Sequence, residues 1–234
     1  MFKSICLALL ILSSGFNRDA SSVEKINSVA VVPFQVLGKV ENSKIYSHGL
    51  PDAISHRLSK FNNLKVLERI KLSEILQEIK LHECGLTSDD GVSKIGKMMG
   101  ADVIITATIH KLSSNVRFHI RGIRISSGEI IFSILEYFSI DEFYDFSVLE
   151  YTISVDILKA IRPEYSVEPE TVISRGSVES FQKYSEGLYY FDQGRNDKSK
   201  QCFQISAEIN TSDYWIRKVR KKSEKMFKEL DQKY

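Results

Sequence analysis

Proline is scarce in this sequence, at 4 of 234 residues, and cysteine is scarcer, at 3. Glycine stands at 12 against a hydrophobic share of 43%. That usage excludes a collagen-like, low-complexity or wholly disordered chain. An excess of one charge is also missing. Lys and Arg total 32 against 30 Asp and Glu, a net of +2, which leaves no electrostatic footprint for nucleic acid. Beyond the amino terminus no apolar run approaches the roughly 18 residues of a membrane-spanning helix. A glycine-rich phosphate loop, a nucleophile elbow and a clustered cysteine pattern are absent as well. These absences point away from an enzyme, and no cofactor is expected.

The first twenty residues carry an address. Lys3 is followed by an unbroken apolar run, Ile5 to Leu12 (ICLALLIL), and then by Ser13, Ser14 and Gly15. This pattern reads as a secretory signal peptide over 1–15, so an exported, periplasmic protein is expected. A bacterial lipoprotein signal needs a cysteine just after the small residues. Phe16 stands there and Cys6 lies too early, so lipidation is not expected. Export permits a disulfide between Cys84 and Cys202. Sequence leaves open whether they are bridged or are two separate buried thiols.

Periodicity sets out the body. Ser28 to Phe34 (SVAVVPF) is a short β-branched strand ending at Pro33, and Leu64 to Leu67 is a second. Between them Leu50, Ile54, Leu58 and Phe61 recur on one helix face. Leu72 to Ile79 repeats the pattern, Gly85 ends it, and Gly91 to Met99 is a further helix. Ala101 to Leu112, Val116 to Ile125 and Glu129 to Phe138 then form an antiparallel meander with one wet face, bearing Arg117, His119 and Arg121. Asp141 to Ile161 returns to a single helix. The fold class expected is α/β (α+β), a mixed sheet packed with helices, followed by a small all-α tail.

Candidate ligands are few. Glu78, His82 and Cys84 lie close in sequence, but only Glu78 and His82 share a helix face, and two ligands do not close a zinc site. His110 and His119, on neighbouring strands, are expected to leave opposite faces of the sheet. No catalytic or metal residue is therefore assigned.

Three blocks carry a resemblance. They are Val29 to Phe34 (VAVVPF), Val66 to Leu86 (VLERIKLSEILQEIKLHECGL), and Ile95 to Ile105 (IGKMMGADVII) followed by Val116 to Ile130. In this order and spacing they resemble the curli-assembly (CsgG-like) family of bacterial envelope proteins, whose periplasmic domain shares its architecture with the amino-terminal domain of TolB. The resemblance covers roughly residues 28–161 and implies a periplasmic α/β domain, envelope protein partners and a homo-oligomeric ring. The family's channel is built by long inserted hairpins. Here Lys111 to Arg117 is a tight connection, which favours a soluble scaffold or accessory protein over a secretion channel. A channel component and a glycan-binding or glycan-processing protein are the alternatives.

Residues 162–176, with Pro163 and Pro169, read as a linker. From 177 to 234 all is helical. Tyr184, Gly187, Tyr190, Gly194, Ser199, Phe203 and Ser206 fall at offsets that resemble one tetratricopeptide repeat. The groove near Tyr184, Tyr190 and Gln193 is the expected partner-binding site. The last stretch is basic, with eight Lys or Arg against three acids between Arg217 and Lys233. It suits either a solvated outer face or peripheral docking on the outer membrane or peptidoglycan.

Overall fold

The computed structural model describes residues 25–68, 72, 100–164, 178–209 and 214–233. The expected signal peptide, the helices placed over 72–84 and 91–99, and the Glu78, His82 and Cys84 group lie outside these residues, Leu72 excepted.

Among the described residues six strands form one mixed sheet that is not closed into a barrel. They are β1 (Ser28–Val31), β2 (Gln35–Leu37), β3 (Lys65–Val66), β4 (Val103–Lys111), β5 (Asn115–Arg124) and β6 (Ile130–Ser139), in the order β3-β1-β4-β5-β6. β1 runs parallel to both β3 and β4, while β4, β5 and β6 are the expected antiparallel meander. Among the described residues six helices accompany the sheet: α1 (Leu50–Leu58), α2 (Ile140–Tyr144), α3 (Phe146–Ile161), α4 (Val178–Asp192), α5 (Asn196–Glu208) and α6 (Tyr214–Lys233).

Two local features depart from the sequence expectation. Just past the expected first strand, Gln35–Leu37 forms β2, which pairs with β4 at Thr108 to His110, end to end with β1 at Val103 to Ile105. Pro33 separates the two because it has no N–H to give the ladder. Phe34 N–H donates instead to the Ser47 carbonyl at 2.8 Å, off the sheet. The single helix expected from Asp141 to Ile161 is two helices. Ser139 and Glu142 close a capping box on α2. Asp145 (φ −86°, ψ 89°) then leaves the helical region, and its Oδ1 accepts from Val148 N–H to start α3.

Alternation along β4 and β5 sends Val103, Ile105, Ala107, Ile109, Val116, Phe118 and Ile120 to one face, all buried. The stripes of α1 (Leu50, Ile54, Leu58) and α3 (Leu149, Ile153, Ile157) cover that face. Burying each such side chain stabilises the fold by about 1.5–3 kcal/mol. Arg57 forks onto Glu150, with Nε–Oε1 and Nη2–Oε2 both 2.6 Å, and so ties α1 to α3.

The tail joins the same core. Phe181, Tyr184, Leu188, Phe203, Met226 and Leu230 form one continuous apolar cluster with the residues of the sheet face. Gly49, in the π-helical turn Ile45–Gly49, lets α4 approach: a Cβ there would meet Ser185 and the Phe181 ring. Arg162, buried where the chain leaves α3, donates to the Ile26 and Ile161 carbonyls.

Candidate partner-binding site

Helix α4 repeats Phe181, Tyr184, Leu188 and Phe191 at helical spacing, and this stripe faces inward. Tyr184 is only 2% exposed. Its hydroxyl donates to Asp52 Oδ2 at 3.1 Å, and Lys222 of α6 donates to the same oxygen at 2.6 Å. Tyr184 thus belongs to the seam between α1, α4 and α6. A cavity of about 280 Å³ opens beside it, lined by Asp52, His56, Glu68, Tyr184, Lys222 and Met226 among others.

Helices α4 and α5 form an antiparallel hairpin whose close approach is at Gly187. A Cβ there would come within 2.5 Å of the Phe203 ring. The serines are buried and satisfied. Ser199 Oγ donates to the Gly187 carbonyl at 2.9 Å, and Ser206 Oγ donates to the Ser180 carbonyl at 2.8 Å. Ser223 of α6 bonds Ser206 Oγ at 3.1 Å, which links all three helices. Small side chains let the helices approach while their hydroxyls occupy backbone carbonyls. Cys202, directly before Phe203, is a buried free thiol, and burial pushes its pKa up.

Tyr190 and Gln193 lie at the turn end of this hairpin. Gln193 is exposed, and its N–H donates to the Tyr189 and Tyr190 carbonyls at 3.2 Å as α4 ends. Gly194 (φ +69°) turns the chain, and Arg195 N–H donates to the Tyr190 carbonyl at 2.9 Å. Three cations surround the Tyr190 ring. Lys44 Nζ is 4.8 Å from its centroid, Arg195 Cζ 5.2 Å and Lys198 Nζ 5.7 Å. Lys44 lies equally close, 4.8 Å, to the Tyr189 ring. His48 meets Tyr189 edge-on at 5.2 Å, and its Nε2 is 3.4 Å from buried Asp192. The sequence reading named Tyr190 and Gln193 but missed Lys44, Arg195 and Lys198. Lys44 lies in a different segment of the chain, and no local pattern signals its arrival. The run Gly194-Arg195-Asn196-Asp197-Lys198 directly after the tyrosines was the one available hint.

The polar face of the meander is a second surface of interest. Cross-strand pairs share a face. His119 pairs with Thr108, two residues before His110 on β4. His110 and His119 therefore lie on the same face, which corrects the expectation of opposite faces. Counting from the turn misplaced them because the register, Lys111 with Val116, sets the two histidines at odd and even positions that coincide. His119 Nε2 is 2.9 Å from Ser133 Oγ. Arg117 and Arg121 stand on this face as expected, and half-exposed Leu135 and Tyr137 lie opposite His119 and Arg117 on β6. No group of three metal-ligating side chains occurs among the described residues. None of the helices among them is long and apolar enough to cross a membrane.

Comparison with known proteins gives one family match. Residues 20–134 match the model of "Curli production assembly/transport component CsgG". No curated protein matches the chain. Among solved structures, the LpoB C-terminal domain from Escherichia coli is 16% identical, covers 51% of this chain and 87% of its own, and superposes with a TM-score of 0.40. Lipoprotein GNA1162 from Neisseria meningitidis is 15% identical over 60% of this chain and 99% of its own, with a TM-score of 0.41. TolB from Acinetobacter baumannii is 11% identical over 60% of this chain and 29% of its own, with a TM-score of 0.39. Residues 20–134 of the chain thus carry a CsgG-like segment, which takes in every strand of the sheet up to the first half of β6.

Proposed function

We propose that this chain is an exported, non-enzymatic accessory or scaffold protein of the bacterial cell envelope that acts by binding a protein partner in an outer-membrane-associated assembly. The family match over residues 20–134 is the observation that carries this reading. On it, 1–15 is the signal peptide, 28–161 the CsgG-like α/β domain, 162–176 the connection, and 177–234 a tetratricopeptide-like helical tail. The partner contacts the tail near Tyr190 and Gln193, with Tyr184 positioning that helix from within.

The local geometry supports binding over conduction. Leu112 N–H donates to the Asn115 carbonyl at 2.8 Å, so β4 and β5 are joined by a short turn with no inserted ribbon. A polar sheet face with Leu135 and Tyr137 half exposed offers area to a protein. Self-association into a ring is part of this proposal; PelC from Paraburkholderia phytofirmans, 11% identical at a TM-score of 0.39, is described as a dodecamer.

A secretion-channel component is the second reading, favoured by the words "assembly/transport" in the family description. Fractionation separates the two. Release of the mature protein from envelopes by high salt supports the accessory role. Retention until detergent is added sinks it in favour of the channel. Crosslinking in intact cells, followed by affinity capture and mass spectrometry, then identifies the partner.

A further inference from the structure

Lys44, Arg195 and Lys198 come from two segments far apart in the sequence, yet all three lie within 5.7 Å of the centroid of one ring, Tyr190. None of the three forms an ion pair with any described residue. The neighbouring carboxylates are otherwise engaged or set apart. Asp192 is buried against His48, Glu186 is held by Lys183 at 3.0 Å, and Asp197 makes no ion pair among the described residues.

A tyrosine face attracts a cation through its ring quadrupole. Three like charges around one ring also repel one another, and nothing described neutralises them. Cations gathered on one ring and unpaired among the described residues favour the approach of an anion. The pattern of the cluster selects the class of anion. Tyr189 and Tyr190 give a rigid apolar platform for the methylenes of an acidic side chain. Arg195 supplies a planar fork for a carboxylate, and exposed Gln193 offers an amide to a passing backbone. The basic patch is compact, three cations on one ring, whereas a lipid surface calls for a broad basic face.

We infer that the Lys44–Arg195–Lys198 cluster on Tyr190 is a docking point for an extended Asp/Glu-rich segment of a protein partner. This rests on reading the chain as a protein-binding accessory protein and names the chemistry of what it binds.

The test is a titration of the full mature chain with a fluorescent glutamate-rich peptide, its glutamine counterpart, and phosphatidylglycerol vesicles. The acidic peptide binds and the neutral one does not, and affinity falls as salt rises. The double variant K44Q/R195Q loses about tenfold in affinity, whereas K228Q, which removes an exposed charge from α6, does not. Thermal unfolding confirms that both variants fold. Equal binding by K44Q/R195Q and K228Q overturns the inference, as does binding to vesicles without binding to the peptide. The reading beneath it fails separately. Partners captured equally well by K44Q/R195Q and the natural chain sink this docking point and leave the accessory role standing. Peptide binding that the double variant loses supports the docking point even where crosslinking recovers no partner.

Discussion

Lys222 and Asp52, 170 positions apart in the chain, meet at 2.6 Å, and the Tyr184 hydroxyl takes the other approach to the same carboxylate oxygen at 3.1 Å. Asp52 is thereby an acceptor shared by α4 and α6 on the surface of α1.

Replacing Asp52 tests that seam. Asp52→Ala leaves the buried Tyr184 hydroxyl without its acceptor and Lys222 without its counter-charge. The expected loss is about 2–3 kcal/mol in urea unfolding. The Lys222 side chain is 32% exposed, so Lys222→Met costs only about 0–1 kcal/mol. Equal losses for the two would show that the seam does not depend on the carboxylate.

Gly187 and Phe203 make the second test. A valine at 187 puts carbon about where the Phe203 ring stands, given the 2.5 Å separation an added Cβ would have. Gly187→Val is expected to destabilise by about 1–3 kcal/mol. Adding Phe203→Leu recovers part of that loss if the clash is the cause, and the non-additivity is read from a double-mutant cycle.

Stability should also bend with pH. Glu136 lies on the covered face of β6, opposite Phe118, and Asp156 is on α3. Burial pushes both carboxyls above their ordinary values of 4.5 and 3.8, and the charge of Asp156 raises Glu136 further. The folded state then binds these protons more tightly than the unfolded chain, so stability falls as pH rises through this range. Glu136→Gln should raise the melting temperature at neutral pH, and the gain should vanish once pH drops below 4.5 and 3.8. A gain that persists in acid would mean that shape, not charge, is responsible.

Cys202 gives a readout of the hairpin. Its thiol is buried and its pKa raised by that burial, so little thiolate forms in the fold. Alkylation mapped by mass spectrometry should leave Cys202 unmodified in the native protein and label it in urea. Comparable labelling in both would show that α4 and α5 separate readily.

Much of the sheet was legible because alternation is a local property. Val116, Phe118 and Ile120 against Arg117, His119 and Arg121 gave both the strand and its wet face. Register is not local, and the two histidines were misplaced for that reason. The break at Asp145 was hidden because Phe143 and Phe146 keep helical spacing across it; only Asp145 itself, whose carboxylate accepts from Val148 N–H, marks a fresh start. Tyr190 was legible as an aromatic at the repeat-like offsets of the tail. Lys44 was not, since a cation over a ring leaves no trace in the spacing of either residue.

The apolar cluster that runs unbroken from Val29 and Ile54 to Tyr184 and Met226 has a mechanical consequence. A partner that seizes the carboxy-terminal helices tugs directly on the strands beneath them. Tension is shared across the body, so cutting the chain before α4 would bare a broad oily wound and invite clumping.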